Sequence, residues 1–297
     1  MKKVTKAIIP AAGFGTRFLP QTKAMPKEMM PLIDKPIIQY VVEELVEAGI
    51  KDIIIVGSTN KRAIEDHFDI PSEDLLSNLR AGGEKKKPYI DLIESIANMA
   101  NFVYVRQKGP YGNATPLLSA AHLIGDEPFI YTWADDFFSP AANSTKQMIA
   151  TYQKHGGGVF SCKKAVDEKE YSSYGFAAGA VIEEGLIKMT QIIEKPGSST
   201  SAPSDLASVS GYLLPAGLLG YIEKGVESHT DGEFTFQPFV QQMIDDGFEF
   251  YAKEIQNGKY YDTGDKLEYL KTTLDFGLNH PELGAPLRQY LQDKLDA

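Results

Sequence analysis

In the first half of the chain, short continuous runs of apolar residues alternate with stretches in which apolar residues recur every three or four positions. The continuous runs predict strands at residues 7–9, 51–57, 102–106 and 128–132, with burial expected at 7–9 and on both faces at 51–57. The helical spacing, clearest at residues 37–46, predicts intervening helices, the first with Pro36 as its first helical residue. Strand, helix and strand in succession form βαβ units, so this half is predicted to be α/β.

The pattern changes after a helix predicted at residues 143–155 and a strand predicted at 158–164. Shorter strands and hairpins follow, including a strand at 248–252, and predict an antiparallel portion rather than an independent domain. From residue 279 to the end, helical spacing predicts an amphipathic helix, and we expect its apolar side chains to pack on the core, with an oligomer contact as the alternative. Those side chains are Leu283, Leu287, Tyr290, Leu291 and Leu295.

Composition excludes several classes of protein. With 297 residues, 43% of them hydrophobic, the chain can bury a full core, and a pI near 5.1 argues against a nucleic-acid partner. Cys162 is the only cysteine, so an intrachain disulfide and a cysteine-based metal site are excluded, and the five histidines have no ligand-like spacing. There is no apolar run of membrane-spanning length and no signal-peptide pattern, so we expect no membrane partner and a cytoplasmic location.

Positive charge is concentrated in the loop after the first strand, at residues 10–27. The first 27 residues hold six Lys or Arg and no carboxylate precedes Glu28, although the net charge of the chain is −10. The loop has no Walker A sequence, and the dinucleotide fingerprint fails because Phe18 replaces its third glycine. We expect Gly13 and Gly15 to supply positive φ and a surface without Cβ, which predicts a polyphosphate site. The alternative is an ordinary turn with surface cations.

Carboxylates lie at two later strand or turn ends. Asp135 and Asp136 follow the strand at 128–132, where ligands of open α/β sheets bind, and carboxylates there suit Mg²⁺. Asp262 lies 127 positions after Asp135, so only the fold could unite them. The alternatives are turn residues for the first two and a helix N-cap for Asp262.

Several motifs resemble those of the sugar-1-phosphate nucleotidyltransferases, over about residues 5–277. The first is Gly-x-Gly-Thr-Arg from Gly13, continued by Pro-Lys-Glu-Met-x-Pro from Pro26. Later segments resemble the family's base-recognition loop at 107–116, its Tyr-Gly turn at 174–175, its Glu-Lys-Pro at 194–196, its Gly-Glu at 232–233 and its Asp-x-Gly at 262–264.

The resemblance implies a Rossmann-like three-layer α/β fold with a mixed, mostly parallel central sheet and a smaller antiparallel sugar-binding portion. It implies one domain over 1–297, with a nucleotide-binding half at about 1–160, a sugar-phosphate-binding half at about 161–277 and a C-terminal helix at 278–297. The implied reaction transfers a uridylyl group from UTP to glucose 1-phosphate with Mg²⁺ as cofactor. The implied assembly is a homo-oligomer, either a dimer or a tetramer.

The resemblance also assigns roles to individual residues. The implied catalytic residues are Arg17 and Lys27, and the implied metal ligands are Asp135 and Asp262. The implied nucleotide-binding residues are Ala11, Ala12, Gly13, Gly15, Thr16, Gln107 and Gly112. The implied sugar-phosphate-binding residues are Gly175, Glu194, Lys195 and Gly211.

The chain departs from the family pattern in two segments. Residues 114–116 are Ala-Thr-Pro where the uridylyltransferases carry Gly-His-Ala, and residues 237–238 are Gln-Pro where the family carries Thr-Asp. Two alternatives therefore stay open. One is the same chemistry with another nucleotide, such as dTTP, or another sugar phosphate, and the other is an idle homologue that binds sugar nucleotides as a regulator.

Overall fold

The computed structural model describes residues 1–296 and contains a nine-stranded sheet with helices on both faces. The strands are β1 Lys6–Ala11, β2 Pro31–Leu32, β3 Lys35–Pro36, β4 Asp52–Gly57, β5 Asn101–Arg106, β6 Phe129–Tyr131, β7 Asp136–Phe138, β8 Gly158–Lys164, β9 Gly175–Glu183, β10 Leu186–Glu194, β11 Leu206–Leu214, β12 Phe250–Glu254 and β13 Tyr260–Asp262. The helices are α1 Ile37–Glu47, α2 Arg62–Phe68, α3 Glu73–Ala81, α4 Lys87–Ala97, α5 Thr115–Ile124, α6 Ser144–His155, α7 Gly217–Ser228, α8 Gln237–Asp245, α9 Lys266–Asn279 and α10 Gly284–Leu295.

The sheet is mixed, with the strand order β5-β4-β1-β6-β11-β8-β12-β10-β9. The four strands at the β5 edge are parallel, whereas β11 runs antiparallel to both β6 and β8. Strand β9, at the other edge, also pairs with β11, which brings Gly175 opposite Ser208. The antiparallel strands therefore continue the sheet that the parallel strands begin.

Two hydrophobic clusters lie on the two faces of the sheet. Ile8 and Ile54 face one cluster, with apolar residues of α5, α7 and α8, whereas Ile9 and Ile55 face the other, with residues of α1, α2 and α6. Because successive strand residues point to opposite faces, strands covered on both sides need continuous apolar runs. This confirms the predicted three-layer α/β architecture with a mixed sheet.

Several boundaries differ from the sequence predictions. Pro36 precedes α1 as its N-cap, and the strand expected at 248–252 lies at Phe250–Glu254. The helix predicted from about residue 279 to the end begins later, at Gly284, because the preceding helix α9 continues to Asn279. No helix in residues 1–296 is both long and apolar enough to cross a membrane.

The expectation that the apolar face of the last helix packs on the core is wrong for three of its residues. The exposed fractions are 43% for Leu283, 57% for Tyr290 and 87% for Leu295. Helix α10 packs mainly on α9, where Leu287 lies against Gly277, and Leu287 and Leu291 are half-buried whereas the other three apolar side chains are exposed.

Candidate active site

The cationic loop follows β1 at the centre of the sheet, where parallel strands end side by side. Ala11 ends β1 and is buried, Ala12 follows it, and Thr16 begins a short 3-10 turn that includes Arg17. Gly15 has a φ of 64°, as expected, and its carbonyl accepts a hydrogen bond from Phe18 N.

The expectation of positive φ is wrong for Gly13. Its φ lies outside the left-handed region, and a Cβ added there would meet no atom within 4 Å. The absence of a side chain at Gly13 therefore has no cause in the packing of the described residues. It leaves an open approach to the backbone of the loop.

The acids gather at one place although they are distant in sequence. Strand β7 pairs with β13 so that Asp136 lies opposite Asp262. Thr263 donates to the carbonyl of Asp135 through both its N–H, at 3.2 Å, and its hydroxyl, at 2.5 Å. A Cβ placed on Gly264 would lie 3.1 Å from Asp262 Oδ1 and 3.6 Å from Asp135 Oδ2. The two predicted metal ligands therefore flank one glycine.

Of the two predicted catalytic cations, Lys27 contacts one of these acids and Arg17 contacts the glycine between them. Arg17 Nη1 donates to the carbonyl of Gly264 at 3.2 Å, and Lys27 Nζ donates to Asp135 Oδ2 at 2.6 Å. Burial acts to lower the pKa of Lys27, but the charge of Asp135 and its hydrogen bond outweigh burial and hold that pKa above its ordinary value. Burial and the charges of Asp135 and Asp262 raise the pKa of Asp136 well above its usual range. Lys27 is thus an ammonium among three crowded carboxyl groups.

The donor chemistry fits a hard divalent cation. Asp135 and Asp262 offer carboxylate oxygens beside the carboxyl group of Asp136, and within residues 1–296 Lys27 is the only cation paired with these acids, so negative charge is in excess. No group of three or more His, Cys, Asp or Glu side chains in residues 1–296 is arranged to hold a metal ion by itself. Mg²⁺ does not need one, because it takes few protein oxygens and completes its shell with phosphates and water.

Gln107 and Gly112 lie near the β5 edge of the sheet. Gln107 extends β5, and its N–H donates to the carbonyl of Gly57 at 2.9 Å. Gly112 has a φ of 146°, and a Cβ there would lie 2.1 Å from the carbonyl oxygen of Phe234. Phe234 pairs with this loop on both sides, donating to Tyr111 O at 2.8 Å and accepting from Ala114 N at 3.0 Å. Close backbone packing therefore requires glycine at position 112.

The two segments that depart from the family pattern lie next to each other. Asn113 accepts a hydrogen bond from Phe236 N at 2.9 Å and donates to Gln237 Oε1 at 3.3 Å. Residues 114–116 begin α5, and residues 237–238 begin α8. The departures therefore belong to one local arrangement beside the predicted base loop.

The four predicted sugar-phosphate residues lie on β9, β10 and β11 or directly after them. Gly175 starts β9, and a Cβ there would lie 2.8 Å from the carboxylate of Glu194, which ends β10. Lys195 follows, and its N–H donates to Tyr174 O at 3.0 Å. Burial raises the pKa of Glu194, and the charge of Lys195 partly offsets this effect. Gly211, with a φ of 106°, lies in the irregular part of β11 and faces Ser161.

The predicted residues thus form one group and two flanking sets. Arg17, Lys27, Asp135 and Asp262 are together around Gly264, at the centre. The predicted base residues lie toward the β5 edge, and the predicted sugar residues lie toward the β9 edge.

Sequence reasoning missed polar residues that hold the loops of the site. Glu28 was recognised only as part of a motif, and Ser58, Lys61, Asn113 and Thr263 were not singled out. For Ser58 and Lys61 the missed signal is their place directly after the buried strand β4, at the same sheet edge as the phosphate loop. For Thr263 no local signal exists, because its partner is 128 positions away.

A central sheet with a cationic glycine loop after β1, facing acids that follow β6 and end β13, has the parts that phosphoryl chemistry on a nucleotide needs. The sequence model of the nucleotidyl transferase family matches residues 6–277. The chain therefore belongs to the nucleotidyl transferase family, as its motifs indicated.

Individual proteins similar to the chain are more specific than the family as a whole. The chain is 40% identical over 296 residues to UTP–glucose-1-phosphate uridylyltransferase of Bacillus subtilis strain 168, covering 100% of this chain and 99% of that relative. It is similar to the UTP-bound UGPase from Acinetobacter baumannii, with a TM-score of 0.83, 32% identity, and coverage of 98% of this chain and 99% of that one. It is also similar to a UDP-glucose pyrophosphorylase complexed with UDP-glucose, with a TM-score of 0.78, 33% identity, and coverage of 92% and 98%.

Proposed function

We propose that the protein transfers a uridylyl group from UTP to glucose 1-phosphate, giving UDP-glucose and pyrophosphate. The observation that carries this proposal is the meeting of Arg17, Lys27, Asp135 and Asp262 around Gly264. Identity of 40% over the full length to a uridylyltransferase supports the choice of substrates.

The chemistry is an in-line displacement at the α-phosphorus of UTP. The phosphate oxygen of glucose 1-phosphate forms the new P–O bond, and the bond to pyrophosphate breaks with its electron pair leaving on the pyrophosphate oxygen. The attacking oxygen is already ionised, so no general base is needed, and catalysis rests on positioning and charge neutralisation. In our proposal Arg17 and the N–H groups of the first loop hold the β- and γ-phosphates. Lys27 neutralises charge that develops at the α-phosphate.

We propose Mg²⁺ as the cofactor, held by Asp135 and Asp262. When bound, Mg²⁺ supplies positive charge to the phosphate oxygens that react. The excess of carboxylates around Lys27 supports this assignment. Asp136 is proposed as a neighbour that shapes the field rather than as a ligand.

The two substrates are proposed to lie at opposite ends of the site. The amide of Gln107 can pair with the imide edge of uracil, and the backbone at Gly112 lies against the base. Glu194 accepts from sugar hydroxyls and Lys195 binds the sugar phosphate, with Gly175 and Gly211 leaving room for the hexose. Residues 1–160 are then the nucleotide half, and residues 161–277 are the sugar half.

We further propose a cytoplasmic homo-oligomer. The support for assembly is a row of exposed leucines on one face of α9, with exposed fractions of 58% for Leu267, 62% for Leu270 and 38% for Leu274. Apolar side chains at this spacing on a surface helix suit burial against another chain.

A pyrophosphate-release assay over a grid of nucleoside triphosphates and sugar 1-phosphates tests the proposal. We expect turnover with UTP and glucose 1-phosphate, its loss in excess EDTA, and its recovery with added Mg²⁺. Asp135→Asn and Asp262→Asn should each lower kcat by roughly a hundredfold or more, whereas Asp136→Asn should lose much less.

Other outcomes of the same assay select the alternatives. Preference for dTTP would point to the altered segments 114–116 and 237–238 as determinants of base choice. Binding of UDP-glucose without turnover of any pair would indicate an idle regulator and contradict the proposal.

A further inference from the structure

Two carbonyl groups of the first loop accept hydrogen bonds from side chains that follow β4. Ser58 Oγ donates to the carbonyl of Ala12 at 2.9 Å, and Lys61 Nζ donates to the carbonyl of Gly13 at 2.6 Å. Neither donor belongs to the loop itself. The carbonyls of the loop are therefore fixed to the protein interior.

The opposite ends of these peptides are free. A trans peptide is planar, so its N–H points away from its carbonyl, and fixing the carbonyl of one residue aims the N–H of the next. The peptides in question carry the N–H groups of Gly13 and Phe14, which donate to no protein atom among residues 1–296. Two unpaired donors thus point away from the anchors, beside an open surface at Gly13.

Lys61 belongs to a buried ion pair with Glu28. Its ammonium has three acceptors, the carbonyl of Gly13 and both carboxylate oxygens of Glu28, at 3.0 and 2.8 Å. The side chains are 8% and 1% exposed, respectively. Three acceptors satisfy all the donors of an ammonium group, so Lys61 has one fixed position. Glu28 directly follows Lys27 in the same 3-10 turn, which links that turn to Gly13.

Stability alone does not account for this pair. Burial raises the pKa of Glu28 even though Lys61 acts to lower it, so the attraction does not fully offset the cost of burying the carboxylate. Buried ion pairs often add nothing to stability relative to apolar side chains of the same volume. A role in fixing the geometry of the loop accounts for its presence in the interior.

We infer that Ser58, Lys61 and Glu28 form a brace that positions the phosphate loop and the Lys27 turn for the triphosphate of the nucleotide. This inference rests on the proposed function. The three are positioning residues, since they act through the N–H groups of Gly13 and Phe14 and through Lys27.

The test is the double variant Glu28→Leu/Lys61→Met, which removes both charges and keeps most of the buried volume. We expect its circular dichroism and melting temperature to stay close to those of the wild type. The KM for UTP should rise roughly 10- to 150-fold, the range for loss of charge-assisted hydrogen bonds. The KM for glucose 1-phosphate should change less than about threefold, because its site is distant. A folded double variant with an unchanged KM for UTP would overturn the inference.

Ser58→Ala keeps the test decisive if the double variant does not fold. It removes the bond to Ala12 and an exposed local bond to the carbonyl of Thr59, at 3.2 Å, so we expect near-native melting and a rise of about 2- to 10-fold in the KM for UTP. An unchanged KM for UTP in Ser58→Ala would likewise overturn the inference.

The matched control removes a half-buried pair that does not touch the loop. Lys35→Met/Glu43→Leu breaks the bond between Lys35 and Glu43, at 2.7 Å, and should alter melting but neither KM. A rise in the KM for UTP in this control would show that the effect is general and would count against the brace. The wild type is assayed in parallel, and failure of UTP with the wild type refutes the proposed function alone. The brace is then tested with whichever triphosphate the grid identifies.

Discussion

Lys27 is the residue at which the cationic loop and the acidic group meet. Its ammonium lies 2.6 Å from Asp135 Oδ2, and this pairing holds its pKa above 10.5. The pKa is raised on folding, so the stability that the pairing contributes is present below 10.5 and is lost as pH rises through the folded pKa. Lys27 therefore keeps its charge at neutral pH, as its proposed role at the α-phosphate requires.

Gly13 and Gly112 give opposite expectations for the same substitution. Gly13→Ala places a Cβ in open space, so the melting temperature should not change, but the new methyl group obstructs the approach of phosphate. We expect the KM for UTP to rise by roughly tenfold, as for one lost hydrogen bond to a charged group. Gly112→Ala places a Cβ 2.1 Å from Phe234 O and should lower the melting temperature. The measurements are thermal melting and UTP saturation curves, and native UTP affinity in Gly13→Ala would refute close phosphate approach there.

Substitution of Lys195 tests whether the two substrates bind at separate places. If it binds only the sugar phosphate, Lys195→Ala should raise the KM for glucose 1-phosphate, or lower kcat/KM, by roughly 10- to 150-fold. The KM for UTP should move only a few-fold, and circular dichroism should stay native. Saturation curves for each substrate check this, and equal changes in both KM values, or none, would mean that the sugar site lies elsewhere.

At the scale of single residues, the motifs selected residues that the fold brings together, because each lies beside a strand end or in a turn. Arg17, Lys27 and Asp135 are examples. The sequence did not reveal Lys61, because a lysine after a strand is usually a solvated surface residue. Only the fold buries it against Glu28.

Among the elements, the short ladder of β7 and β13 has the largest effect on the site. It joins segments more than a hundred positions apart and sets Asp136 opposite Asp262. Local pattern predicted that Asp135 follows a strand and that Asp262 lies in a turn, but it predicted neither β7 nor β13. Their pairing could not be predicted, because strand pairing across such a distance depends on the whole sheet rather than on neighbouring residues.

Thr263→Val tests whether this ladder positions the acids. The variant keeps the volume of a buried side chain and loses the hydroxyl bond to Asp135 O. We expect unfolding free energy to fall by about 1 kcal/mol and kcat to fall several-fold. Thr272→Val is the control, since it also loses a buried hydroxyl bond, to Glu268 O within α9. Denaturant melts and kcat measurements compare the two, and an equal effect on kcat would contradict a specific role for Thr263.

On the scale of the whole molecule, the strand order explains why the proposed base, phosphate and sugar sites follow one another from one edge of the sheet to the other. The base residues are near the β5 edge, the phosphate loop follows β1, and the sugar residues are near the β9 edge. Apolar pattern predicted the parallel strands well, since β1, β4 and β6 are covered on both faces, although the edge strand β5 is only partly buried. It did not predict that β9 also pairs with β11, which depends on curvature of the finished sheet.

The leucine row on α9 predicts assembly. Leu270→Glu places a charge in the proposed interface, so the mass measured by light scattering should fall toward that of the monomer. Val166→Glu is the control, since Val166 is 88% exposed and lies outside the row. A wild-type protein that is monomeric at micromolar concentration would refute the homo-oligomer.

The contact of Arg17 with the carbonyl of Gly264 has a consequence for the stage of synthesis at which the site can form. A ribosome releases the chain from its amino terminus, so the phosphate loop emerges about 240 residues before Asp262. Until then the loop has neither the carbonyl that holds Arg17 nor the second acid. The nascent chain therefore carries a cationic loop without the acid that faces it in the folded protein, and the proposed site can assemble only after Asp262 and Gly264 have left the ribosome.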